Sequence, residues 1–395
     1  MSRRLILASA ALLASGTYAQ ADVFSYRLFV GDAVEPTLWV LDPGADAAPE
    51  THSLASPTRI LAGPDGRHLY LLQRDAGAVA VLDSGLRRED HGDHGASAFE
   101  EAASMLSVSV EGPDPIHFNL DDDKVVIFFD GSGEARIWRE AEFVAGDTTP
   151  AKAIATSRPH HGVAVPFGDL TIVSVPGAGD SSLPDGLAVV DAEDNILVEQ
   201  ACSGMHGEGH AGSYIAFGCL DGVAVLDMSV SPPTTRLFSY PDSLPDEASV
   251  RSFLSPRDYM ALVGSFGADG LVILDPSSET GDFQHVTLPA PRVAFTLNAA
   301  GDTGYALLAD GRLLRFGALT GRISGELADV TNTYSMDQGV IRPQMSFAGE
   351  RLAISDPADG SVVLVDTEAM SIASRVALQG SPQTVLLIAA EVDEH

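Results

Sequence analysis

The chain has 395 residues, 45% of them hydrophobic, so it can bury a large core and is not a disordered polymer. It carries 55 acidic against 23 basic residues, a formal net charge of −32. A field of that sign repels nucleic acid and anionic lipid, which excludes both as expected partners, and it attracts cations, divalent metals among them.

The N-terminus begins Met1-Ser-Arg-Arg, runs through apolar residues 5–14 and reaches Ala19-x-Ala21. A basic start, a short apolar core and small residues at the end describe a secretory signal peptide over residues 1–21, cut before Asp22. The apolar run is too short to span a bilayer, and no later segment is long and apolar enough to do so. The expected product is a periplasmic monomer without membrane insertion, a single domain over residues 22–395. Its two cysteines, Cys202 and Cys219, are close in sequence and are expected to form one local disulfide in an oxidising compartment. Thiolate metal ligation is the alternative.

One pattern recurs along the chain: a turn, an apolar strand, a second Gly-containing turn, and a strand ending in Val/Leu-Asp. Clear copies are HLYLLQRDAGAVAVLD, ending at Asp83, YIAFGCLDGVAVLD, ending at Asp227, and YMALVGSFGADGLVILD, ending at Asp275. RLAISDPADGSVVLVD, ending at Asp366, is another, and looser copies end at Trp138, Asp191 and Phe316. Each is a hairpin by its own chemistry, with β-branched and apolar runs flanking turns where Gly supplies φ > 0. Units of three or four strands, each roughly 36 to 55 residues long, have the size of propeller blades. The N-terminal segments FSYRLFVG and TLWVLD lack an inner strand, and Gln383–Ile388 is an inner strand without a blade. Pairing the two closes the ring and removes exposed edges. The prediction is an all-β propeller of eight blades. Residues 96–103 are the one candidate helix, and residues 87–112 and 228–249 read as long polar connections between blades, the first of them a flexible His/Asp loop.

Three histidines fall at matching points of three consecutive units: His117, His161 and His206, each eight or nine residues before an apolar run. Arg59, Arg251 and Gln344 take roughly equivalent places in other units, near the start of the strand that lines the channel. Converging imidazoles are favoured Zn²⁺ ligands, and three of them with one further oxygen complete a tetrahedron. Glu208 or Asp121 could supply that oxygen, as could water. His160 should point away from the site, and His210 is an outlying candidate on the strand face of His206. A second constellation, Asp90-His91-Gly-Asp93-His94-Gly, places two imidazoles and two carboxylates within five residues and reads as a metal-capturing tract. His52, His68 and His285 stand alone. No nucleophile elbow, Walker loop or dinucleotide fingerprint occurs in its required context, and Asp121-Asp-Asp123 lacks the Gly and Glu of a calcium loop.

Taken together, the leader, the repeated hairpins, the D-H-G-D-H-G tract at 90–95 and the three histidines resemble the AztD family of periplasmic zinc metallochaperones. The resemblance implies a protein that is not an enzyme, binds Zn²⁺ in the periplasm and hands it to the zinc-binding subunit of an ABC importer. The family's tract can be longer than the single unit found here. Two other functions fit parts of the pattern: a metal-dependent propeller hydrolase or lactonase, and an interaction scaffold without metal. For histidine ligation, acid should release the metal, because protonated imidazole cannot ligate.

Overall fold

The computed structural model describes residues 23–392 apart from 46, 91–94, 180, 246, 247 and 256–259. The signal peptide expected at 1–21 lies outside the described residues, as do His91, Asp93 and His94 of the tract.

Eight four-stranded antiparallel sheets form the molecule, and they are the eight blades expected from the repeats. In seven of them the strands follow chain order from the channel outward. The eighth joins the two ends of the chain, with Glu50–Ser53, Thr37–Leu41 and Val23–Asp32 outside and Pro382–Val392 as the inner strand. The closing ladder runs from Val23↔Val392 to Asp32↔Pro382. The inner strand comes from the C-terminus, as the orphan segment at 383–388 requires.

Period-2 and fully apolar strands give each blade two greasy faces, and these are buried against the neighbouring blades. The buried apolar residues accordingly fall into eight clusters, one at each junction. Val126 and Phe128 of one blade, for instance, pack with Ala164, Val173, Ala188 and Val190 of the next. At the closing blade, Leu28, Val30 and Leu387 pack with Ala353, Val362 and Leu364 of the preceding one.

Several local expectations need correction. Residues 96–103 do not form a helix; Gly95–Phe99 is a strand paired with Leu86–Asp90, and among the described residues the one helix is Glu140–Val144, with acidic Glu140 and Glu142 in its first turn. Alternating small and apolar residues at 95–99 suit a strand better than the acidic composition beyond them suggests. Within the stretches read as connections, Ser104–Glu111 and Thr234–Ser239 are outer blade strands. Their polar residues face solvent, which hid the strand period. Met228–Ser249 is thereby reduced to short turns around a strand.

The Leu86–Asp90/Gly95–Phe99 hairpin has a defined seat. Arg88 Nε donates to Asp65 O (3.1 Å), in the turn that ends the inner strand of its blade, and Glu391 N donates to Ser97 Oγ (2.8 Å). Both contacts lie where inner strands end.

Cys202 and Cys219 are bonded, as expected. The bond ties the segment leading into strand His206–Ala211 to the end of the strand paired with it, Tyr214–Gly218. Closing a loop of this size is worth about 3 kcal/mol through the unfolded state. The Cys202→Ser/Cys219→Ser double variant should lose about that much stability in chemical denaturation; an unchanged midpoint would show that the tether adds nothing to the folded ring.

Candidate metal centre

Inner strands all run in the same sense, so residues at matching ladder positions meet around one mouth of the channel. Counting from the turn pair Asp121↔Lys124, His117 is four pairs along, opposite Phe128. Counting from Ala211↔Tyr214, His206 is likewise four along, opposite Gly218. Arg59, opposite Leu72, holds the same level in its blade. His161 differs: it stands three residues ahead of strand Ala164–Phe167, held by its backbone N–H on Ser182 O (2.7 Å). The spacing argument thus locates two of the three histidines by strand register and the third by a loop.

The three rings come together. His117 and His161 have ring centroids 4.9 Å apart, and His161 and His206 5.3 Å. The Nε2 atoms of His117 and His161 are 3.4 Å apart. Two nitrogens bound 2.0–2.1 Å from one tetrahedral zinc would be separated by roughly the same distance, about 3.3 Å. Among the described residues no set of three or more His, Cys, Asp or Glu side chains already stands in metal-holding geometry. The trio is therefore a converged cluster that needs a small side-chain adjustment to close on an ion.

Hydrogen bonding fixes which nitrogens face the centre. His161 Nδ1 lies 2.6 Å from Asp130 Oδ2, and His206 Nδ1 lies 2.7 Å from Arg251 O. Carboxylate and carbonyl oxygens only accept, so both Nδ1 atoms carry the proton and both Nε2 lone pairs are free. This is the arrangement of a metal-ligating histidine whose ring is oriented from behind. With His161 Nε2 bare, the 3.4 Å contact makes His117 Nε2 the donor in the metal-free state; binding an ion requires that proton to move to Nδ1. His117 is pushed down to about 3, by burial first and then by the neighbouring His161. His206 is also lowered, chiefly by burial. His117 therefore stays neutral, and able to ligate, well below the ordinary imidazole range, and burial favours the neutral form of His206 as well.

Two glycines permit the convergence. Gly207, at φ 74°, forms a β-bulge beside His206, and a Cβ there would sit 2.6 Å from Arg251 O, the acceptor that orients His206. Gly162, next to His161, would collide with Phe128 and Ser174. The bulge also corrects the expectation for His210. It shifts the alternation by one, so His210, opposite Ile215, lies on the other face from His206. His160 behaves as expected: it is 4% exposed, with Nε2 2.8 Å from Ser174 Oγ and Nδ1 donating to Arg158 O.

Of the two oxygen candidates, Asp121 lies at the turn, four ladder pairs from the trio, where its Oδ2 accepts from Gly168 N (2.8 Å). Glu208 lines the site, with Oε1 3.4 Å from Asn119 Nδ2. Asp130 was not singled out from the sequence. Placed before Gly-Ser-Gly, it reads as an ordinary turn residue, and only the ring geometry reveals it behind His161. A pocket of about 10 Å³ beside the trio, floored by Met205 and Phe217, has room for one ion or water. On the other side, a vestibule of about 320 Å³ opens between Arg59, Glu208 and Arg251. Of the tract, only Asp90 and Gly95 fall within described strands; their hairpin leans on the opposite mouth, four ladder pairs or roughly 13 Å from the level of the histidines.

Comparison with known proteins bears on this geometry. No family model matches the chain. The zinc chaperone AztD of Citrobacter koseri is 29% identical over 405 aligned residues, covering 100% of this chain and 95% of its own. In sequence and in fold, the chain resembles AztD over its whole length. The crystal structure of Citrobacter koseri AztD superposes with a TM-score of 0.86 at 27% identity, covering 94% of this chain and 100% of that one. An apo AztD structure from the same organism gives 0.83 at 26% identity, with the same coverage. The propeller expected from the repeats is thus shared with AztD, and the relative is named for a chaperone, not an enzyme. Among the described residues no helix is long and apolar enough to cross a membrane.

If Asp130 orients His161, Asp130→Asn should weaken metal binding at the trio by about 10- to 100-fold while leaving the fold intact. Competitive titration with a chromogenic chelator reads this directly. An unchanged affinity would remove Asp130 from the site.

Proposed function

We propose that the protein is a zinc chaperone of the periplasm: the trio of His117, His161 and His206 holds Zn²⁺ and passes it to the zinc-binding subunit of an ABC importer. The observation that carries this reading is the convergence of three imidazoles from three consecutive blades, two of them oriented from behind through Nδ1. Full-length similarity to a protein named as a zinc chaperone supports it. The residues fit the ion: three nitrogen donors, an open fourth position and no thiolate, since both cysteines are in the disulfide. A site of neutral ligands with one open position can release its ion by ligand exchange, which suits a carrier.

In this reading residues 1–21 direct export, and Asp90, His91, Asp93 and His94 act as a separate capture site. Strands Leu86–Asp90 and Gly95–Phe99, which flank the tract, contact the mouth remote from the trio, so capture and holding are proposed as separate events. The hydrolase reading is supported less well, because the full-length relative is named as a chaperone. A scaffold without metal would leave the aligned imidazoles without a purpose.

The deciding experiment is zinc stoichiometry and affinity of the mature protein beside His117→Ala, His161→Ala and His206→Ala. Each variant should lose one tight equivalent and keep its strand signature by circular dichroism. Three variants that bind zinc like the parent would sink the trio as the site.

The acid dependence has a defined sign. Three ordinary imidazoles would each cost about 30-fold in zinc affinity between pH 7 and pH 5, or about 10⁴ together. Because His117 is depressed to about 3, its neutral form persists through that window and its share of the loss disappears. Zinc affinity should therefore fall by less than about 10³ between pH 7 and pH 5, measured with a pH-independent competitor. A full 10⁴ loss would mean that His117 is not enclosed as described.

A further inference from the structure

The trio is the centre of a longer arc. Arg59, His117, His161, His206 and Arg251 come from five consecutive blades, so each end of the row of imidazoles is flanked by a guanidinium. Arg59 Nη1 donates to Ile116 O (2.9 Å), immediately beside His117. Arg251 supplies the carbonyl that orients His206, while its guanidinium forms no ion pair or hydrogen bond with any described residue. The vestibule of about 320 Å³ lies between these two cations and is wide enough for a small organic acid. Glu208 is the single acidic side chain in its lining. In a protein of net charge −32, a cavity with two guanidiniums and one carboxylate is a local reversal of sign.

That reversal needs a reason, because cations beside a metal site repel the metal. Three neutral imidazoles neutralise none of the charge of a divalent ion, so in an occupied site only Glu208 in the lining and Asp130 behind His161, among the described residues, offset the ion and the two guanidiniums. An anion in the vestibule relieves all three at once. A carboxylate suits the geometry: one oxygen can take the open fourth position of a tetrahedral ion, and the other can accept from a guanidinium fork.

We propose that the vestibule is a carboxylate site in which the bound anion completes the coordination of the metal and pairs with Arg251, with Arg59 on the opposite flank. The inference rests on the zinc-holding reading of the trio. It gives the row of arginines a purpose: zinc is held tightly only while a carboxylate is present, and a carboxylate is also what an acidic side chain on an acceptor would insert.

The test uses the mature protein titrated with zinc against a chelating competitor, at constant ionic strength, with and without sodium acetate. Acetate should tighten zinc binding about tenfold in the parent. Arg251→Gln should cut that enhancement to less than about twofold, and Arg251→Lys, which keeps the charge and loses the fork, should fall between. No acetate effect in the parent, or an equal effect in Arg251→Gln, overturns the proposal. A short peptide bearing one aspartate, tested at the same concentration, distinguishes the source. Stronger enhancement by the peptide than by acetate assigns the carboxylate to a docked protein, and equal enhancement assigns it to any free carboxylate. Either supports the site. His117→Ala separates the two readings: if it keeps tight zinc, the trio reading itself fails, whereas loss of zinc in His117→Ala without an acetate effect in the parent defeats only the anion site.

Discussion

Ring closure is the constraint on which everything else depends. Each blade buries its two faces against its neighbours, so an open array would expose two large apolar sheets and leave the angle between blades free. Pairing Val23–Asp32 with Pro382–Val392 ends that freedom, and apolar side chains from both partners, Leu28, Val30 and Leu387 among them, seal the junction. Once the ring is closed, the radial position of every inner strand is set by the seven others. A site assembled from single side chains on three blades, as the trio is, inherits its precision from that closure and not from any local loop.

The fold was legible because its signal is repetition. Strand–turn–strand units ending in Val/Leu-Asp announce hairpins, and the orphan strands at the two ends announce closure. Elements without an apolar period were missed: Ser104–Glu111 and Thr234–Ser239 face water on one side, and Gly95–Phe99 was obscured by neighbouring acids. The site was legible in part. Register located His117, His206 and Arg59 at one ladder level, because each pairs with the fifth residue of its blade's second strand. It could not anticipate that Gly207 forms a bulge, which turns His210 to the other face, nor that His161 precedes its strand. Asp130 was invisible for a different reason: a carboxylate before Gly-Ser-Gly has a sufficient local explanation as a turn residue, and its second role exists only across a blade junction.

Charge acts at two ranges here. The net −32 draws cations toward the surface over several ångströms of screened solvent, with no preference for one spot. Inside the channel mouth the order is reversed, and Arg59 and Arg251 stand beside neutral rings. In the proposed carrier, the long-range field concentrates the ion, while the short-range field sets how firmly it is kept.

Neutral, oriented ligands favour exchange over storage. A thiolate site would cancel the charge of zinc and hold it against most competitors, and the two cysteines are instead spent on a tether next to His206. In the proposed site, histidine ligands leave the ion more electrophilic than thiolates would, and burial favours the neutral form of His117 and His206. In that reading, loss of the ion depends on what else can approach its open position, through a vestibule flanked by Arg59 and Arg251. Selection at that opening, and not the strength of the three imidazoles alone, is what would let a carrier keep its metal in solution and yield it on contact.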